Sequence, residues 1–257
     1  MLTGSELVLA GLAAAAAGMV NALAGGGTLI SFPALVALGV PEITANITNT
    51  VALCPGYLGG AIAQKSDLAG QKKRLILLVP AGIMGGLTGG ILLLYVNEQV
   101  FHLLVPVLIL LAAVLLAIQD RVRDWIRMHS GHDGTDGRGC RSAALPVGLS
   151  AVYGGYFGPG LSVIILAVLG LFLDDTLTRL NALKQCISLG TNVAASVFFL
   201  FSGLVLWPFA LVMAAGALFG GAIGGRIASR IDPGRLRWTI VTIGIAVGLY
   251  FLVRLFI

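Results

Sequence analysis

Apolar and polar residues are sorted into long blocks along this chain. Ten apolar stretches fall at about 5–24, 28–40, 46–64, 74–96 and 99–119, then at 144–157, 160–173, 180–203, 206–229 and 236–256. A helix needs about 20 residues to cross a hydrocarbon core. The stretches at 28–40, 144–157 and 160–173 fall short and predict half-helices of broken hairpins. Glycine marks both breaks, in Asn21-Ala22-Leu23-Ala24-Gly25-Gly26-Gly27-Thr28 and in Gly154-Gly155-Tyr156-Phe157-Gly158-Pro159-Gly160. Backbone that leaves a helix inside hydrocarbon exposes N–H and C=O groups at high cost, unless it lines a polar cavity or meets a ligand.

The second five stretches repeat the first five. An offset of 135 places Asn46 on Asn181, and Gly85, Gly86, Gly89 and Gly90 on Gly220, Gly221, Gly224 and Gly225. The breaks align at an offset of 133, Gly27 on Gly160. Gly82, Gly86 and Gly90 stand four apart, as do Gly216, Gly220 and Gly224. Such spacing makes a smooth helix face for close packing. The predicted organisation is a first membrane repeat over 1–119, a linker over 120–143 and a second repeat over 144–257. Each repeat would be a broken hairpin followed by three transmembrane helices.

Composition agrees with an all-α polytopic membrane protein. Of 257 residues, 58% are hydrophobic and only 11% charged, against roughly 25% charged in soluble domains. The net charge of +5 is spread over short loops and carries no nucleic-acid signal. Residues 1–10 lack a basic n-region, so no cleavable signal peptide is expected. Lys65, Lys72, Lys73 and Arg74 lie between the third and fourth stretches, and Arg121, Arg123, Arg127, Arg138 and Arg141 in the linker. Arg226, Arg230, Arg235 and Arg237 surround the last loop, whereas 41–45, 96–98 and 203–206 contain no Lys or Arg. The positive-inside rule puts the basic loops in the cytoplasm and both termini outside. The two repeats then run in opposite directions, as in inverted-repeat architectures. Residues 120–128 predict an interfacial helix with Trp125 among the headgroups.

Candidate chemistry gathers near the breaks. Asn181, Gln185, Ser188 and Asn192 share one helix face by their spacing, and Lys184 flanks it. In the first repeat the corresponding face carries Asn46, Asn49, Thr50 and Tyr57, with Cys54 beside it. Lys184 either supplies the positive charge of an anion site or extends to the cytoplasmic interface. A half-helix starting at Gly26-Gly27-Thr28, or at Pro159-Gly160-Leu161-Ser162, would aim unsatisfied N–H groups and a partial positive charge at a small anion. Pro159 suits the first helical position. Alternatively the glycines, including Gly25 and Gly158, only make tight hairpin tips.

What is missing narrows the class. All eleven acidic residues fall at segment ends or in loops, leaving no mid-membrane carboxylate as proton relay or sodium ligand. Potential-driven uniport, or a proton carried by the substrate itself, is therefore expected of a transporter. Cys54, Cys140 and Cys186 form no metal or disulfide pattern, and His102, His129 and His132 have no apparent partners. No nucleophile–base pair suggests an enzyme, and no metal or other cofactor is implied. A membrane assembly subunit, with the hairpins as packing devices, is the alternative to a transporter.

The run Asn21 to Thr28 followed by Phe32-Pro33, then Ala45-Asn46 with Thr48 to Thr50, resembles the TauE/SafE sulfite exporter, or organosulfur-anion permease, family. Gly158-Pro159-Gly160 and Asn181-Ala182-Leu183-Lys184-Gln185 extend the likeness to the second repeat. The resemblance implies transport of a small sulfur oxyanion or sulfonate across the cell (inner) membrane. The glycine tips and polar faces themselves place the expected substrate contacts at Gly25, Gly26, Gly27, Thr28, Asn46, Asn49, Thr50, Gly158, Gly160, Asn181, Lys184 and Gln185. Which anion, in which direction, and in what oligomeric state all stay open.

Overall fold

The computed structural model describes residues 4–23, 26–129, 137–227 and 233–255. Among them are ten α-helices: α1 (Gly4–Leu23), α2 (Thr28–Ala37), α3 (Glu42–Ala63), α4 (Lys72–Tyr95), α5 (Glu98–His129), α6 (Gly137–Tyr156), α7 (Leu161–Phe172), α8 (Leu177–Leu200), α9 (Trp207–Ile227) and α10 (Pro233–Arg254). A 3-10 turn, Lys65–Leu68, joins α3 to α4. Six helices (α1, α4, α5, α8, α9 and α10) have the length and apolarity to cross a membrane. The 10 residues of α2 and the 12 of α7 rise only about 15–18 Å, half a hydrocarbon core. Large apolar side chains such as Leu12, Met84, Val107, Leu211 and Phe219 are exposed on the outside, where lipid takes the place of water.

Two boundaries differ from the sequence expectation. Residues 120–129 are no separate interfacial helix, because α5 continues through them for 32 residues in all. Val122, Trp125 and Ile126 recur at helical spacing and pack against a core that includes Leu169 and Leu173. Likewise α6 begins at Gly137 and runs 20 residues, so 144–157 is the greater part of a full-length helix.

Packing interleaves the two halves of the chain. α4 lies against α6, and α9 against α1. A Cβ at Gly85 would sit 2.2 Å from Gly148 O, and one at Gly220 only 1.9 Å from Ala15 O. These pairs correspond at the offsets of 135 and 133. The same holds for Gly89 against Val152 and Gly224 against Met19. Only glycine permits backbones this close.

Polar ties define the two ends of the bundle. At one end Arg74 is paired with Asp175, Arg237 with Asp120, and Gln71 Nε2 donates to Arg179 O at 3.0 Å. Burial pushes the Asp175 carboxyl up, but bonds from Arg74, Arg179 and the Thr176 N–H outweigh it and hold it below the ordinary range. At the other end His102 Nδ1 lies 2.8 Å from Glu42 Oε1, and Leu206 N–H donates to Thr48 Oγ1 at 3.1 Å.

Candidate functional site

The α1–α2 and α6–α7 tips meet against the middle of α5. A Cβ on Gly26 would contact Leu116, and one on Gly160 would contact Leu115 and Ala112. Gly26, Gly158 and Gly160 have φ of +86°, +92° and +84°, a left-handed backbone that strains any other residue. Both tips close the same way. Ile30 and Ser31 N–H groups donate to Gly27 O at 2.9 and 3.2 Å, and Val163 and Ile164 donate to Gly160 O at 3.0 and 3.3 Å. Asn21 Oδ1 accepts from Gly27 N–H at 2.8 Å, while Tyr153 OH donates to Pro159 O at 2.6 Å. Pro159 is not the first helical residue, because the left-handed Gly160 separates it from α7, which starts at Leu161.

Between the tips lies a cavity of about 550 Å³. From the tips, Asn21, Gly26, Thr28, Gly158, Pro159, Gly160 and Ser162 reach it. The start of α8 contributes Asn181, Lys184 and Gln185; α5 contributes Gln119 and Arg123; the later half of α3 contributes Pro55, Gly56, Tyr57 and Gln64. Lys184 is 8% exposed, and its Nζ donates to Asn181 Oδ1 at 3.0 Å. Two cationic side chains therefore share the cavity, and among the described lining residues there is no carboxylate. The N-termini of α2 and α7 add partial positive charge. The arrangement suits an anion.

Seven of the twelve sequence candidates (Gly26, Thr28, Gly158, Gly160, Asn181, Lys184 and Gln185) border this cavity. Gly27 does not: it packs on Ala17 O. Gly25 lies outside the described residues. Asn46, Asn49 and Thr50 also lie away from the cavity lining. Asn46 Nδ2 donates to Tyr156 O at 2.8 Å, and Thr50 Oγ1 to Asn46 O at 2.9 Å. The apolar pattern places Arg123 in the linker, whereas the structure places it on the cavity wall. The signal for it was the spacing of Val122, Trp125 and Ile126, which continues α5 beyond Gln119 and carries Arg123 to the cavity.

Membrane-length helices packed around a cationic cavity describe a multi-pass membrane transporter. Residues 10–251 match the family model described as Sulfite exporter TauE/SafE, and the chain belongs to that family. The family is one of transporters, not of enzymes. The chain is similar to "Probable membrane transporter protein YfcA" of Escherichia coli K12, with 24% identity over 82% of this chain and 76% of that protein. It is 26% identical to a "Probable membrane transporter protein" of Haemophilus influenzae, covering 82% and 80% of the two chains. The "Probable membrane transporter protein ORF9" of Sinorhizobium sp is 26% identical over 94% and 90%. No solved structure matches the chain.

Proposed function

We propose that the protein moves a small oxyanion, sulfite or a short organosulfonate, across the cell membrane by alternating access through this cavity. The carrying observation is the pairing of Lys184 and Arg123 in a cavity without carboxylates among its described lining residues. Gly26, Thr28, Gly158 and Gly160 bring backbone close to the anion, and Asn181, Lys184 and Gln185 orient it. The family's name suggests sulfur as the central atom.

In this reading the repeats are inverted, the basic loops are cytoplasmic and both termini face outside. Support comes from the polar ties that gather Arg74, Arg179 and Arg237 at one end, and from the positive-inside rule. The cavity reaches Gln64, Gln119 and Arg123 towards that same end, so the conformation is inward-open. A cytoplasm-negative potential then favours efflux by about 2.3 kcal/mol per charge per 100 mV. The test is a thermal-shift screen of purified protein against sulfite, sulfate, thiosulfate and short sulfonates. A transported anion stabilises the folded state by mass action. If none of them shifts unfolding, the anion reading fails and a non-transporting assembly role takes its place.

A further inference from the structure

Asn46 and Asn49 are each 1% exposed, yet the Oδ1 of each has no hydrogen-bond partner among the described residues. The Asn46 amide is oriented by its nitrogen, which donates to Tyr156 O at 2.8 Å. Its oxygen is thus left as an acceptor without a donor. Glu42 repeats the pattern one turn earlier: Oε1 meets His102 Nδ1 at 2.8 Å, while Oε2 is buried without a partner. Spacings of four and three put Glu42, Asn46 and Asn49 on one face of α3. A row of buried acceptors is the wrong chemistry for an anion. Hard cations are held by such carbonyl and carboxylate oxygens.

The second repeat indicates what belongs there. The offset of 135 that sets Asn46 on Asn181 also sets Asn49 on Lys184. In the second repeat the asparagine Oδ1 receives the Lys184 ammonium at 3.0 Å. In the first, the lysine position holds a short neutral amide, and no side-chain ammonium reaches the asparagine oxygen. We propose that Asn46 Oδ1 and Asn49 Oδ1 bind a free monovalent cation of sodium's size, where the second repeat carries a tethered ammonium. Three residues of helix rise about 4.5 Å, so both amides reach one small ion. Neutral amides without a carboxylate in contact favour a monovalent ion over a divalent one. Glu42, at the start of α3, attracts the cation from that end of the bundle.

Sodium ligands need not be carboxylates, since amide oxygens serve equally. Binding stands on α3 alone, whereas its coupling to anion movement rests on the transport reading above. Purified protein free of sulfur anions is melted in NaCl, KCl and choline chloride at equal ionic strength. Sodium should raise Tm saturably by several degrees over choline. Asn49→Lys, which copies the Lys184 arrangement, should raise Tm in choline and abolish the sodium response. Asn49→Asp, which leaves the Asn46 amide on Tyr156 O, should shift the sodium midpoint several-fold lower. A wild-type Tm indifferent to sodium overturns the proposal and leaves trapped water as the donor to both oxygens. A sodium response that survives in Asn49→Lys, or an unmoved midpoint in Asn49→Asp, overturns it as well. Because no substrate is present, failure here is separate from failure of the anion screen.

Discussion

Replacing Gly220 with alanine should pry α9 away from α1. The added Cβ would lie 1.9 Å from Ala15 O and 2.6 Å from Ala15 C. Ordinary contact begins at 3.4 Å, a shortfall of 3.4 − 1.9 = 1.5 Å. Overpacking of this kind costs about 1–3 kcal/mol. The upper part of that range applies, because a helical carbonyl, unlike a side-chain tip, cannot swing aside. Alanine's better helix propensity offsets up to about 1 kcal/mol, leaving a net loss of about 2 kcal/mol. For a chain of this size that is a fall in Tm of about 4–8 °C. Thermal unfolding in detergent, at one fixed heating rate because such transitions are often irreversible, reads the difference. Gly221→Ala is the control: its Cβ meets Gly18 O at an ordinary 3.7 Å, so Tm should hold or rise slightly. Gly85→Ala, 2.2 Å from Gly148 O, should cost about as much as Gly220→Ala. The two losses should add to within about 0.5 kcal/mol. If Gly220→Ala melts like Gly221→Ala, the close approach of α1 and α9 is refuted.

Three other outcomes follow from the site and its supports. Lys184→Met keeps the buried stem and removes the charge, so anion flux in proteoliposomes should fall about 10–100-fold, the worth of one charge-assisted hydrogen bond, while the melt stays cooperative; unchanged flux removes Lys184 from the site. Asn21→Ala deprives Gly27 N–H of its acceptor and should destabilise by about 1–3 kcal/mol, whereas Asn21→Asp, which keeps the acceptor, should melt close to wild type. The Asp175 carboxyl is held below its ordinary value, so the stability it contributes is present above its unfolded pKa, about 3.9, and is lost as pH falls through the depressed folded value. A Tm series from pH 7 to pH 3 should therefore drop more steeply for wild type than for Asp175→Asn, and parallel curves would count against the Arg74–Asp175–Arg179 tie.

Block hydrophobicity by itself determined the helices. Their number and order follow from where apolar stretches reach or miss a bilayer's thickness, and the breaks follow from glycine, which alone adopts the left-handed backbone at Gly26, Gly158 and Gly160. The close-packing glycines were legible too: Gly85 and Gly220, 135 residues apart, each meet a backbone carbonyl at a distance only glycine allows. Tertiary structure decided which polar residues meet. Asn46 and Asn181 match at the sequence offset of 135, yet only Asn181 borders the cavity, because the cavity lies beside the later half of α3 and the start of α8. No periodicity within one helix reports which half of it faces a void. Arg123 belongs to the cavity only because α5 runs on past the apolar stretch, held by Val122, Trp125 and Ile126 against a core built from distant helices. Chain-local chemistry sets helix, break and charge; which oxygens lack a donor depends on neighbours a hundred residues away, as with Asn46 and Tyr156.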